Sequence, residues 1–235
     1  MKTYNEIKKD IEKTKKVLAA MNAERDALYG KFVDAIKSAP DILTRKQARE
    51  NKQTTLDAIA AIDKKIIDLK ATLKFQQHNS KIALYNETLP AALEIINSYA
   101  GKPYGEKTRS KISDAIQAKT GCRCYISNGY YNSEIKFYPG LYGNEITAGT
   151  ADGVKILNAE NKIQAITADN VKLYYISNKY FDDIPAAIKA MRAAYKKAVE
   201  AQKALEACCD TFNVYAVEGI ERIYKDKYIY EKFTI

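Results

Sequence analysis

Few side chains in this sequence are of the types that do acid–base or nucleophilic chemistry. The chain has one histidine, His78, which lies in a polar stretch with Gln76, Gln77 and Asn79 near the end of a predicted helix. This position favours a solvated helix-end residue, and a lone histidine disfavours triads that need one as base. The sequence contains no phosphate-binding glycine loop, no nucleophile elbow and no His-Glu-x-x-His motif. These features favour a protein that binds over one that catalyses.

Carboxylates leave one class of enzyme open, in which two acids converge in a pocket. Asp152 and Asp169 each follow Thr-Ala and precede Gly or Asn, a pattern that predicts turn residues. Since sequence alone does not show which acids meet, an enzyme with a carboxylate or thiol site stays a third alternative. The acids of the β-rich middle are Glu134, Glu145, Asp152, Glu160 and Asp169.

The four cysteines occur as Cys122-x-Cys124 and as the adjacent pair Cys208 and Cys209. Neither pair forms an easy disulfide, and both lack the two-residue spacer of a typical zinc site. Free thiols in a reducing cytoplasm are therefore predicted, with no metal and no cofactor. The N-terminus is charged, and no run approaches the roughly 18 apolar residues that span a bilayer, so we also predict no membrane partner.

Basic residues in the middle of the chain form the first candidate binding site. A helix that opens at Thr88 and Pro90, a Gly-rich turn at residues 101–105, a second helix from Glu106 to Lys119 and a hairpin follow one another. This order is typical of winged-helix DNA-binding proteins, whose second helix contacts bases or phosphates through its N-terminal end. That helix has fewer Arg, Asn and Gln residues than are expected of a helix that recognises a specific base sequence. The predicted nucleic-acid-binding residues are Lys107, Arg109, Lys111, Arg123 and Lys136.

Tyrosines form a second candidate surface. The chain has 18 tyrosines, six phenylalanines and no tryptophan, and many of the tyrosines fall in the β-rich middle. Adjacent residues of a strand point to opposite faces, so one member of each adjacent Tyr pair is expected to face outward, where it could stack on a base or contact a protein. The predicted interaction surface comprises Tyr125, Tyr130, Tyr131, Tyr138, Tyr142, Tyr174 and Tyr175.

The positive charge is concentrated in the first half of the chain. The net charge is +9, of which residues 1–120 carry +8 and residues 121–235 carry +1. A clustered positive surface favours polyanionic partners such as nucleic acid, although a solvated lysine-rich face is the alternative interpretation.

Long amphipathic helices must carry these candidate surfaces. A capping box at Thr3 and Glu6 opens the first helix, which should end near Ser38 because Pro40 follows. A second box at Thr44 and Gln47 opens another helix, and the short connection makes the two antiparallel. The first apolar seam contains Ile7, Ile11, Leu18, Met21, Leu28 and Phe32, with polar Thr14 and Arg25 among them, and the second contains Leu56, Ile59, Ile62, Ile66, Leu69 and Leu73.

The remaining elements follow from local signals. Gly121 predicts a helix end, and Asn128-Gly129 predicts a tight hairpin between residues 122–127 and 130–138. A repeat of Thr-Ala-Asp-Gly/Asn-Val-Lys, beginning at Thr150 and again at Thr167, predicts two turns that each start a strand of a meander. An acidic cap at residues 182–183 opens a late helix, and residues 220–224 and 228–233 predict a terminal hairpin.

Together these patterns predict an α+β fold, in which a long antiparallel, coiled-coil-like helical hairpin packs with a late long helix and carries an antiparallel β-meander head. We expect a helical hairpin over residues 1–87, a helix-turn-helix and β head over 88–181, and a returning helix with a hairpin over 182–235.

The predicted function is non-catalytic binding of nucleic acid or a nucleoprotein complex. The alternative is a protein-binding adaptor or inhibitor without nucleic-acid contact, such as a phage or mobile-element accessory protein that blocks a nucleic-acid-targeting defence complex. Because Thr14 and Arg25 interrupt the first seam, a homodimer through the helical hairpin is also expected.

Overall fold

The computed structural model describes residues 1–38, 46–47, 52–128, 133–139, 146–151, 153–173 and 179–208. Its elements follow the predicted α+β order and confirm the helical hairpin, the late helix and the antiparallel meander. No helix in these ranges combines the length and the apolarity needed to cross a membrane. Helices α1 to α4 span Tyr4–Lys37, Lys52–Asn97, Glu106–Thr120 and Ile184–Cys208, and strands β1 to β4 span Arg123–Asn128, Ser133–Tyr138, Ile146–Thr150 and Val171–Leu173.

The chain divides into two compact units. The sheet unit comprises Met1–Lys8 and His78–Tyr180, and the helical unit comprises Lys9–Gln77 and the described residues from Phe181 onward. Helix α2 therefore contributes its first part to the helical unit and its last part to the sheet unit. The described residues of the basic and tyrosine groups predicted from sequence belong to the sheet unit.

In the helical unit, polar contacts join the three helices. Arg25 of α1 approaches Asp63 of α2 at 3.7 Å, and Arg192 of α4 pairs with Asp68 of α2 at 2.5 Å. The hydroxyl of buried Thr14 donates to the carbonyl of Asp10 at 3.0 Å. Both polar residues of the first seam thus have partners within the chain, and the homodimer stays a prediction. Among the described residues of this unit, the buried ones are Ile11, Thr14, Ile62, Ile66, Ala71, Ile188 and Gln202.

Local capping signals set several helix ends. The amide of Thr3 donates to the Glu6 carboxylate at 2.8 Å, and the Glu6 amide donates back to the Thr3 hydroxyl at 3.3 Å, which confirms the first capping box. Gly121 ends α3 in the left-handed region at φ 75°, as predicted. Asp183 caps α4 by accepting from the Ala186 amide at 2.9 Å. Thr44, the predicted second cap, and the predicted terminal hairpin lie outside the described residues.

Helix α2 is continuous where the sequence predicts a new helix beginning at Thr88 and Pro90, so that prediction is wrong. Pro90 lacks an amide hydrogen, and the carbonyl of Asn86 therefore loses its helical partner. Both residues are exposed, so water can hydrate that carbonyl. Leu89 and Leu93, which precede and follow Pro90 in the helix, are buried in the core, and this burial holds the helix together across the proline.

Replacing Pro90 by alanine is expected to raise the free energy of unfolding by roughly 2 kcal/mol, because it restores a helical hydrogen bond and removes a steric clash. Chemical denaturation followed by circular dichroism measures the change. Pro90→Gly also restores the amide but introduces a flexible residue, so its gain in the free energy of unfolding should be about 1 kcal/mol smaller than that of Pro90→Ala. Unchanged or lower stability of Pro90→Ala would contradict the cost assigned to the proline.

The sheet is an antiparallel meander in the order β1-β2-β3-β4. The predicted two-residue turn at Asn128-Gly129 is wrong, because Asn128 pairs with Ser133 and still belongs to β1. Its side-chain amide donates to the carbonyl of Leu157 at 2.5 Å, and its side-chain oxygen accepts from the Ser133 hydroxyl. These long-range contacts keep Asn128 in the strand.

One face of the sheet packs on α2 and α3. Phe137, Ile135 and Ile126 are at most 1% exposed, and they lie against the buried apolar residues of the two helices. Of the two repeats, the second forms a short 3-10 turn at Ala168–Asn170 and then β4, as predicted. The first starts no strand among the described residues, where the Ile156 amide instead donates to the Ser133 hydroxyl at 2.7 Å.

Candidate nucleic-acid interface

The alternation of buried and exposed residues along the strands gives the sheet a buried face and an outer face. Along β1, buried Cys124 and Ile126 alternate with exposed Arg123 and Tyr125. Because successive side chains of a strand point to opposite sides, Arg123 and Tyr125 project from the face opposite to that of Cys124 and Ile126. We define the outer face by the outward positions of the four strands, which are Arg123, Tyr125, Ser127, Glu134, Lys136, Tyr138, Thr147, Gly149 and Lys172.

The register of the sheet brings the predicted basic and aromatic residues together on this outer face. Tyr138 lies opposite Arg123, and Lys136 lies opposite Tyr125 on the neighbouring strand. Directly opposed side chains of antiparallel strands lie about 5 Å apart at Cβ, so each tyrosine has a cation beside it. The two groups of site residues predicted separately from sequence, the basic group and the tyrosine group, therefore share one surface.

Arg109 of α3 adds a further cation to the outer face. Its guanidinium carbon lies 5.7 Å from the centre of the Tyr125 ring, within the range of a cation–π interaction. Tyr125 nevertheless keeps 40% of its surface exposed. Arg123 lies at the edge of this surface, where its Nε donates a hydrogen bond to the side-chain oxygen of Gln117 on α3 at 3.3 Å.

Tyr104 holds the beginning of α3 against β1. Its hydroxyl accepts a hydrogen bond from the Ile126 amide at 3.2 Å, and its own amide donates to the carbonyl of Asn161 at 2.7 Å. Burial of the ring raises the pKa of Tyr104 to about 12, so the hydroxyl stays protonated at neutral pH. This anchor fixes where Arg109, one helical turn further on, meets Tyr125.

Lys172 belongs to the outer face but was not among the predicted site residues. It is exposed at the centre of β4, between buried Val171 and Leu173. It pairs with Gly149, which pairs in turn with Glu134, so it shares a row of the sheet with Glu134. The apolar–charged–apolar pattern of residues 171–173 was the available signal, since it places a lysine outward on a strand.

Lys107 and Lys111 do not belong to the outer face. Both are exposed on α3, four residues apart, and the helical period places them on the side opposite buried Ile112 and Ile116. Arg109 occupies the flank of α3 that faces β1, as its contact with Tyr125 shows. The predicted basic group is thus divided between the outer face and the far side of α3. The predicted residues Tyr130, Tyr131, Tyr142, Tyr174 and Tyr175 lie outside the described residues.

The acids of the sheet unit give no sign of a convergent pair among the described residues. Glu134 approaches Lys136 at 3.9 Å, Glu160 pairs with Lys162 at 2.6 Å, and Asp169 stands exposed in the 3-10 turn, as predicted for a turn residue. In the described ranges no three His, Cys, Asp or Glu side chains come together that could hold a metal ion. Glu145 and Asp152 fall outside those ranges.

His78 is not a helix-end residue, which corrects the sequence prediction. It lies inside the continuous helix α2, and its Nε2 is 2.8 Å from the carbonyl oxygen of Lys179. It is half-buried there. The polar residues around it mark a change of packing partner along α2, and not the end of the helix.

Cys122 and Cys124 are buried free thiols. Burial raises the pKa of both, and that of Cys124 to about 12. The thiolate is the reactive form, so both should be inert at neutral pH. The prediction of free thiols is confirmed for these two cysteines, whereas the side chains of Cys208 and Cys209 lie outside the described part of the chain.

In a Cys208→Ser, Cys209→Ser variant, the two remaining thiols are expected to react with a chromogenic disulfide at least roughly a hundredfold more slowly when folded than when unfolded. The reaction is followed by absorbance at a pH near 8 with and without denaturant. One thiol reacting rapidly in the native protein would contradict the burial of Cys122 and Cys124.

The chain matches no protein-family model, and comparisons with curated proteins and with solved structures find no similar protein.

Proposed function

We propose that this protein is a non-catalytic binding protein that contacts nucleic acid, free or within a nucleoprotein complex, through the outer face of its sheet. The observation that supports this most directly is the pair formed by Arg109 and Tyr125, whose guanidinium and ring lie 5.7 Å apart among further cations. Nucleic acids offer two complementary features, a negatively charged backbone and flat bases, and this surface presents a group suited to each.

The charge of the outer face also favours a polyanion. Its outward strand positions carry three cations, Arg123, Lys136 and Lys172, against one acid, Glu134. Arg109 adds a fourth cation from the helix. Cations that contact phosphates release condensed counterions, and this release drives binding more strongly at low salt.

Fluorescence anisotropy tests the proposal directly. Purified full-length protein is titrated into labelled DNA and RNA, single-stranded and duplex, at about 50 mM and about 200 mM salt. Binding that persists at the higher salt, with an affinity that falls as salt rises, supports the proposed function. Absence of binding to all four nucleic acids at both salt concentrations overturns it and favours the adaptor or inhibitor alternative, in which the partner is a protein.

A further inference from the structure

We infer that the outer face binds an unpaired strand of nucleic acid, with one base stacked on Tyr125 and backbone phosphates on the two sides of that base held by Arg123 and Lys172. This inference rests on the proposed function and specifies its ligand. It draws on three observations: the exposure of an aromatic ring on a strand, the distribution of cations across the sheet, and the separation of those cations from the lysines of α3.

The first observation concerns the ring. Tyr125 projects from the middle of β1, an edge strand of the described sheet, and keeps 40% of its surface exposed although Arg109 lies over it. In a duplex the faces of the bases are stacked on one another and are closed to a side chain. An unpaired base exposes its face, and stacking on an aromatic side chain contributes binding without regard to sequence. Arg109 can add a second planar group to the same stack.

The second observation is the distribution of cations around Tyr125. Arg123 lies two residues away along β1, about 7 Å at the rise of a strand. Lys172 lies on β4, three strand spacings or roughly 14 Å across the sheet, and in the row of Ser127, two residues from Tyr125 on the side away from Arg123. Both are exposed. The two cations therefore lie on opposite sides of the Tyr125 ring. A nucleic-acid backbone that crosses the sheet can contact both.

The third observation separates this surface from a helix that enters a duplex groove. A winged-helix contact would use Lys107 and Lys111 on the far side of α3, opposite its buried residues. Arg109, the basic residue between them, instead faces Tyr125 on the sheet. A duplex bound by the far side of α3 would leave Arg123 and Lys172 without a phosphate. The larger group of cations, with the exposed ring, belongs to the outer face.

The test compares a single strand of about 12 nucleotides, within the site sizes of such proteins, with the duplex of the same sequence, each made as DNA and as RNA. We expect the wild-type protein to bind the single strand at least roughly tenfold more tightly than the duplex. Tyr125→Ala should weaken single-strand binding by roughly tenfold, whereas Tyr125→Phe, which keeps the ring, should bind like the wild type. Comparison of the DNA and RNA affinities shows whether the surface prefers deoxyribose or ribose.

A second measurement uses the wild-type protein and needs no variant. A bromouracil-containing single strand is crosslinked by ultraviolet light to the wild-type protein, and the crosslinked peptide is mapped. The expected crosslink lies in the peptide that contains Tyr125. A crosslink confined to the peptide of Lys107 and Lys111 overturns the inference.

The outcomes separate this inference from the proposed function. If the duplex binds as tightly as the single strand, or if Tyr125→Ala binds normally, the inference is overturned while nucleic-acid binding stands. If neither form binds, the proposed function fails and the inference fails with it. Circular dichroism of both Tyr125 variants confirms that each is folded.

Discussion

Replacing Arg123 and Lys172 together by glutamate is expected to lower the affinity for nucleic acid by roughly a hundredfold or more at moderate salt. Both residues are exposed on the outer face, one on each outermost strand of the described sheet. Each substitution removes a cation that can pair with a phosphate and places a repelling carboxylate there. The dependence of the binding constant on salt should also become shallower, because fewer counterions are released. Anisotropy titrations over a salt series measure both effects.

The matched control replaces Lys107 and Lys111 by glutamate. This variant changes the net charge by the same amount, but its substitutions lie on the far side of α3. We expect it to lose much less affinity, since only the long-range field of the protein changes. Equal losses in the two variants would mean that total charge, and not the outer face, determines binding. A larger loss in the control would move the contact to α3, as the winged-helix interpretation requires.

Replacing Phe137 by alanine is expected to lower the free energy of unfolding by about 3–5 kcal/mol. The side chain is 0% exposed near the end of β2, where Cys124 and Ile146 lie opposite it on the two neighbouring strands. Removing the ring loses its transfer free energy and leaves a cavity that close-packed neighbours cannot fill. Denaturant unfolding followed by circular dichroism measures the loss.

The control for this experiment is the adjacent residue on the other face. Lys136→Ala truncates an outward side chain that is 30% exposed and lies 3.9 Å from Glu134. Such an ion pair contributes little to stability, so the change should stay below about 1 kcal/mol. Similar losses from the two substitutions would show that β2 does not alternate between a core face and an outer face. The assignment of Tyr125, Lys136 and Lys172 to one surface would then be wrong.

Two mismatches between sequence prediction and structure have a common cause. Pro90 predicts a helix boundary by its local chemistry, yet α2 continues because the neighbouring Leu89 and Leu93 are buried in the core. Asn128 predicts a tight turn, yet its side chain bonds to Ser133 and to Leu157 and keeps it in β1. In each case contacts with residues distant along the chain outweigh a local preference of a few kcal/mol.

The candidate site was predictable only in parts. Arg109, Arg123, Tyr125, Lys136 and Tyr138 were each identified by residue type and by their place on a helix or strand. Their convergence was not predictable, since it depends on which residues face each other across β1 and β2 and on which flank of α3 meets β1. The same register separates Lys107 and Lys111 from this group and adds Lys172 to it.

Local signals in the sequence predict the caps of α1, α3 and α4 and the alternation along β1 and β2, because capping pairs such as Thr3 and Glu6, apolar periods and a left-handed glycine at residue 121 act within a few residues. The tertiary structure alone decided the composition of the outer face, because Tyr125 and Lys172 are 47 positions apart in the chain and share a surface through three strand pairings. Strand register is fixed by burial of the opposite face, where Ile126, Ile135 and Ala148 must face the core together.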